Sequence, residues 1–184
     1  GEIYNHLQIR KKYFLNYIWK GNSDTETLIE LIDKFGLEES LKIIDGMFAF
    51  GLWDKKYRSL ILVRDRIGEK PLYFGWQGQG LNKVFFFGSE LKAVLAYNIK
   101  KDIDHQAIAQ YFRHTYIPAP RTILKSCKKL LPGHFLEIVD DVFEIKKYYL
   151  YYPSEKSDDD YQTAQKKVKD LFYESVQKRL VSDV

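Results

Sequence analysis

The sequence predicts an α+β fold in which layered antiparallel sheets lie between helices, with a further helix following. Three observations predict it. Residues 6–45 carry apolar positions at helical spacing, interrupted by a capping signature and a glycine. Residues 47–87 hold apolar runs of strand length separated by hairpin-length turns. Those runs are nearly continuously apolar rather than alternating, so both sheet faces are expected to be covered by helices or a second sheet.

Taken in order, Gly1-Glu2-Ile3-Tyr4-Asn5 reads as the end of a strand with no room for its beginning. A short helix is expected over 6–14, with Leu7, Ile9 and Phe14 as its apolar members. Ser23-x-x-Glu26 is a capping-box signature. It opens a helix whose buried stripe is Leu28, Ile29, Leu31, Ile32 and Phe35, and Gly36 stands where a C′ glycine would end it. Another helix covers 37–45, with Leu41, Ile43 and Ile44 inside. Strands are expected over 47–53, 59–63, 72–76 and 84–87. The turn 54–57 and the Gly/Gln-rich stretch 77–80 separate them.

Ser89-Glu90 caps a helix through Ala96. Asp104 caps another that faces inward with Ala107, Ile108, Tyr111 and Phe112. Pro118-Ala119-Pro120 is a rigid loop, and Pro132-Gly133 turns the chain into a strand over 134–139. Asp140-Asp141 turns it again into a strand over 142–149. Asp158-Asp159-Asp160 sits at the mouth of a long helix reaching about Leu180, with Ala164, Val168, Leu171, Phe172, Ser175 and Val176 as its inner face. Residues 151–160, with Pro153 and mixed charges, form the expected linker. The expected division is one domain over 1–150 and the start of another over 151–184.

Composition bounds the function. A hydrophobic fraction of 45% and an aromatic fraction of 16% suit a packed globular core. The net charge of +4 is spread without a Lys/Arg block, so no nucleic-acid partner is expected. No apolar stretch approaches the roughly 18–20 residues needed to span a bilayer, so no membrane association is expected either. The one cysteine, Cys127, has no internal disulfide partner, which fits a reducing compartment and a cytoplasmic location.

Few residues suggest chemistry by themselves. His6, His105, His114 and His134 show no metal-ligand spacing and read as surface or hydrogen-bonded structural residues; no metal is expected. Cys127 reads as a small buried residue. Gly1 at a strand end would let a ligand approach the backbone, and its N–H could face a developing oxyanion, although an ordinary strand glycine explains it equally. Asp24 is accounted for by the helix dipole. With Glu2, however, it supplies two carboxylates able to neutralise the ammonium group of an amino acid. The block from Arg64 to Tyr73, Arg-Asp-Arg-Ile-Gly-Glu-Lys-Pro-Leu-Tyr, reads as a salt-bridged hairpin turn.

Seven blocks in order carry a family resemblance. Gly1-Glu2-Ile3-Tyr4-Asn5-His6 resembles the glutamine-binding strand of glutamine-hydrolysing asparagine synthetases, and Asn22-Ser23-Asp24-Thr25-Glu26 is similar to their Ser-Asp-x-Glu segment. Gly46-Met47-Phe48-Ala49-Phe50 and the Arg64 to Tyr73 block look like the central hairpin and the signature after it. Phe87-Gly88-Ser89-Glu90-Leu91-Lys92-Ala93 and Leu131-Pro132-Gly133-His134 match two further blocks. Arg179-Leu180-Val181-Ser182-Asp183-Val184 looks like the residues leading into the family's Ser-Gly-Gly-x-Asp-Ser ATP loop.

The resemblance implies an Ntn-hydrolase-type glutamine amidotransferase domain over 1–150 and the first helix of a synthetase domain over 151–184. An N-terminal cysteine attacks the glutamine amide, a glutamyl thioester forms, and water releases glutamate. The ammonia passes to a synthetase half that amidates an ATP-activated carboxylate, that of aspartate in asparagine synthetase. It further implies that Gly1 lines the oxyanion hole and that Glu2 and Asp24 hold the α-amino group of glutamine. The nucleophilic cysteine, the asparagine before Gly1, the arginine for the substrate carboxylate and the ATP loop fall outside the 184 residues. This chain by itself is therefore expected to be inactive, with no cofactor of its own; ATP and Mg²⁺ belong to the synthetase domain. The expected partners are glutamine and that domain, and a homodimer is compatible with the reading. A relative that aminates a sugar carboxylate, and a non-catalytic glutamine-binding module, stand as alternatives.

Overall fold

The computed structural model describes residues 1–140, 142–152 and 156–180. It comprises β1 (Glu2–Ile3), α1 (His6–Tyr13), α2 (Asp24–Phe35), α3 (Leu37–Ile43), β2 (Gly46–Met47), β3 (Ala49–Asp54), β4 (Ser59–Arg64), β5 (Tyr73–Gln77), β6 (Val84–Gly88), α4 (Leu91–Leu95), α5 (His105–His114), β7 (Cys127–Lys129), β8 (His134–Val139), β9 (Val142–Lys147) and α6 (Tyr161–Arg179). The chain divides into two compact units: Gly1 with residues 47–149, and residues 2–46 with 150–184.

In the first unit, two antiparallel sheets face one another. One has the strand order β3-β4-β8-β9 and the other β6-β5-β7. The β3–β4 hairpin closes on an Asp54 side chain that accepts the amides of Lys56 (2.8 Å) and Tyr57 (3.0 Å). Leu62 and Leu136, register partners on β4 and β8, join Leu72, Phe74 and Leu130 in the core shared by the sheets. Phe86, on the neighbouring strand at the next register position, points to the opposite face. There it packs with Val94 of α4, Ile99, Leu124 and Cys127. The three-stranded sheet is thus covered on both sides. In the other sheet, cover on both faces holds at the inner strand β4, where five of six residues are buried. It fails at the edges, where β3 and β9 leave Trp53, Val142 and Phe143 exposed.

In the second unit, α1, α2 and α3 pack in succession and bury Ile9, Leu28, Leu31, Leu41 and Ile44, together with Ile3 of β1. Gly36 both ends α2, donating its N–H to the Ile32 carbonyl at 2.8 Å, and opens α3. At the far end of α6, Lys178 pairs with Asp45 at 3.2 Å and the Arg179 guanidinium stands over the Tyr4 ring.

Several expected helix faces are corrected. On α2 the buried set is Thr27, Leu28 and Leu31, whereas Ile29 and Phe35 are exposed. On α1 Leu7 is exposed, and on α5 only Ala107 is buried while Tyr111 and Phe112 face outward. None of the expected inner residues of α6 is buried: Val168, Leu171 and Phe172 are 65–68% exposed. Helical spacing identifies an apolar stripe but not whether a partner meets it. Glu90 stands at the start of α4, but its side chain makes no capping bond there. Asp141 of the second hairpin turn, Pro153 in the expected linker and residues 181–184 of the last block lie outside the described residues. No helix among the described residues is long and apolar enough to cross a membrane.

Candidate functional site

The site is built around the loop that enters α2. Ser23 caps this helix, its Oγ accepting the Thr25 amide at 3.1 Å. Glu26 does not close the expected capping box. Its carboxylate reaches past Ser23 and accepts the amides of Lys20 (2.9 Å) and Gly21 (3.0 Å). The Lys20 amide foremost, then the Gly21 amide and the Arg10 charge, hold the Glu26 carboxyl below its usual value. Arg10, buried on α1, donates to Thr27 Oγ1 (2.7 Å), the Gly21 carbonyl (2.9 Å) and the Ser23 carbonyl (2.8 Å). It lies 3.7 Å from Glu26 and stacks 3.8 Å from the centre of the Trp19 ring.

Asp24, the first residue of α2, uses Oδ2 to accept the Ile3 amide at 2.8 Å. The helix start and β1 are thereby tied together, and Asp24 stands against the residue that follows Glu2. The Glu2 carboxylate is half-buried and has no hydrogen-bond or ionic partner among the described residues. Beyond β1, Asn5 fixes the chain. Its amide donates to the Ile43 carbonyl and accepts the Asp45 N–H, both at 2.9 Å, while the Tyr4 amide reaches the Asp45 carbonyl at 2.8 Å. The structure therefore ties Asp24 at the start of α2 to the backbone of the residue that follows Glu2. Gly1 precedes Glu2 against the backbone of Met47 and Phe48, where a Cβ would stand 2.6 Å from the Met47 carbonyl oxygen.

In the Arg64 to Tyr73 block, the first two charges turn to the backbone. No ion pair joins Arg64 to Asp65; each saturates backbone instead. The guanidinium donates to the carbonyls of Lys70 (2.8 Å), Leu130 (2.7 Å) and Gly68 (2.8 Å). The Asp65 carboxylate accepts the amides of Ile67, Gly68, Glu69 and Lys70 at 2.6–3.2 Å. Both residues are buried, and Tyr148 closes the turn by donating to the Arg64 carbonyl at 2.7 Å.

Cys127 is buried, and burial pushes its thiol up to about 11, so it stays a neutral core residue. His134 donates from Nδ1 to the Pro132 carbonyl (2.7 Å), and His105 and His114 are exposed. His6 departs from the expectation of a satisfied structural residue, because its buried Nδ1 has no hydrogen-bond partner among the described residues. Among the described residues, no group of three or more His, Cys, Asp or Glu side chains is placed to hold a metal ion.

Residues 1–149 match the family model of a glutamine amidotransferase domain. The chain belongs to this glutamine amidotransferase family. Along its whole length the amidotransferase chain is 37% identical to a Methanocaldococcus jannaschii protein provisionally named glutamine-hydrolyzing asparagine synthetase 2, of which it covers 35%. It is 34% identical to glutamine-hydrolyzing asparagine synthetase 3 of Bacillus subtilis, of which it covers 30%. The chain thus spans about a third of the length of these relatives. A solved glutamine phosphoribosylpyrophosphate amidotransferase from B. subtilis superimposes on 81% of the chain, and on 28% of its own, with a TM-score of 0.56 at 19% identity. That likeness shows the Ntn-hydrolase-type amidotransferase fold, as the family resemblance implied.

Arg10, Trp19, Thr27 and the reach of Glu26 are the parts of this candidate site that sequence reasoning missed. An arginine beside Ile9 on an otherwise ordinary helix face gives no signal that it will cross to a loop eleven residues later.

Proposed function

We propose that this domain releases ammonia from glutamine inside a glutamine-dependent asparagine synthetase, the whole enzyme amidating an ATP-activated aspartate in the cytoplasm. The observation that carries the reading is the unpartnered Glu2 carboxylate on a strand end anchored by Asp24. Two acceptors around one ammonium form charge-assisted hydrogen bonds that select an α-amino acid over an unsubstituted amide. Asp24 keeps Oδ2 on the Ile3 amide, and its Oδ1, which accepts the Thr25 hydroxyl at 3.3 Å, has a lone pair left for the ligand. Gly1 supplies its backbone N–H to the oxyanion that forms as a thiolate adds to the amide carbon. The thiolate, the clamp for the substrate carboxylate, and the residues holding ATP and Mg²⁺ belong to parts of the enzyme other than these 184 residues. Residues 151–184 lead into the synthetase domain.

The test uses the full-length enzyme. Glu2→Gln and Asp24→Asn should each raise the KM for glutamine by about 10- to 100-fold, the worth of one charge-assisted hydrogen bond. Asparagine formation from free ammonia should remain at the wild-type rate. A wild-type enzyme that neither binds glutamine in calorimetry nor releases glutamate would overturn the reading. Glutamate release without asparagine, with aspartate and ATP present, would assign the acceptor to another carboxylate such as that of a uronic sugar.

A further inference from the structure

Arg10 stands in the last turn of α1, which favours a cation, but it reaches to a place that the next helix does not favour. Its guanidinium is buried at the start of α2, the positive end of that helix, where a cation raises rather than lowers the energy. It is held there by three hydrogen bonds, to the carbonyls of Gly21 and Ser23 and to the Thr27 hydroxyl, with Glu26 as the nearby counter-charge. Residues 20–23 are all exposed and offer no apolar side chain to a core. The loop is therefore oriented by polar bonds: Glu26 holds the Lys20 and Gly21 amides, while the planar fork of Arg10, with the Trp19 ring stacked on it, holds the Gly21 and Ser23 carbonyls that lead into Asp24. The next residue after the loop is Asp24.

We propose that Arg10 is a positioning residue for glutamine: by fixing the Gly21 and Ser23 carbonyls it sets the Asp24 carboxylate that receives the substrate ammonium. This rests on the function proposed above and assigns a determinant of affinity outside the residues that touch the ligand. The Ser23 carbonyl is one peptide away from the Asp24 backbone, so a shift of the loop is a shift of the carboxylate. The Asp24 bond to the Ile3 amide then carries the same shift to the strand holding Glu2. A misplacement of about 1 Å at such a distance can cost up to about 100-fold.

In the full-length enzyme, Arg10→Met keeps the apolar stem and removes the fork. It should raise the KM for glutamine about tenfold with kcat little changed, and leave ammonia-dependent synthesis at the wild-type rate. Arg10→Lys should restore little, because a compact ammonium cannot bridge three fixed acceptors. In an Asp24→Asn background, Arg10→Met should add less than about a further twofold, since coupled sites do not act additively. Thr27→Val removes a single acceptor and should raise the KM by about threefold; it carries the test if Arg10→Met does not fold. An unchanged KM, a parallel loss of glutamine- and ammonia-dependent rates, or fully multiplicative effects of Arg10→Met and Asp24→Asn would overturn the inference. If the wild-type enzyme releases no glutamate, the functional reading fails instead, and the two failures are thereby told apart.

Discussion

At Gly46 a Cβ would stand 2.1 Å from the Glu2 carbonyl oxygen and 2.9 Å from the Ile3 Cα. This is backbone against backbone, with no rotamer to give way, so the overlap should exceed the about 1–3 kcal/mol of ordinary overpacking. Gly46→Ala should therefore lower the denaturation midpoint and, in the full-length enzyme, weaken glutamine binding measured by calorimetry, because Glu2 rides on the displaced strand. Wild-type binding and an unchanged midpoint would show that the strand has room to spare there. Gly1 teaches the complementary lesson. The sequence suggested a glycine that admits a ligand; the structure shows one that admits the chain's own Met47–Phe48 backbone. A glycine is legible as a place of close approach, but what approaches is a tertiary fact. Glu2 and Asp24 were legible as candidate carboxylates because each stands in a recognisable block. The Asp24 bond to Ile3, which joins them, crosses twenty-one positions and leaves no local trace.

The turn after β4 shows the same limit for an element. Arginine next to aspartate in a hairpin suggests an ion pair, but adjacent side chains on an extended chain point to opposite faces. Arg64 and Asp65 accordingly diverge, one to three carbonyls and the other to four amides. The turn is held by charges that substitute for absent secondary structure, which is why both can be buried without pairing. Asp65→Asn keeps the shape but turns an amide nitrogen toward backbone donors. It should lower stability by about 3 kcal/mol, and Arg64→Lys by a similar amount, since one ammonium cannot reach three separate carbonyls. Urea denaturation measures both. A change within about 0.5 kcal/mol, the range of an ordinary surface substitution, would mean that water serves these backbone groups equally well.

Across the whole molecule, strands were read more successfully than helix faces, for a physical reason. A strand is bounded by turn chemistry written in adjacent residues: Asp54 before the first hairpin turn and Gly133, with φ of 65°, before β8. Which side of a helix is buried depends on partners far away in sequence. Thr27 bonds Arg10 and is buried on α2, while Tyr111 and Phe112 of α5, in edge contact with each other, and the apolar stripe of α6 stay exposed. Stability should be distributed accordingly. β4 and β8 are flanked by strands on both sides, and Leu62, Val63 and Leu136 are fully buried. α6 has a good N-cap, Asp160 accepting the Thr163 amide at 2.7 Å, but no buried residue. Helices of this kind draw most of their stability from packing rather than from propensity. Amide hydrogen exchange on this chain should therefore be slowest in β4 and β8, reporting global opening, and faster in α6, reporting local fraying. The ends of α6 should differ as well, because Lys178 and Arg179 tether its last turn to Asp45 and Tyr4 while its middle has no such tie. Protection across α6 equal to that of β4 would mean that its apolar stripe is covered in solution, and would return Leu171 and Phe172 to the core that their spacing first suggested.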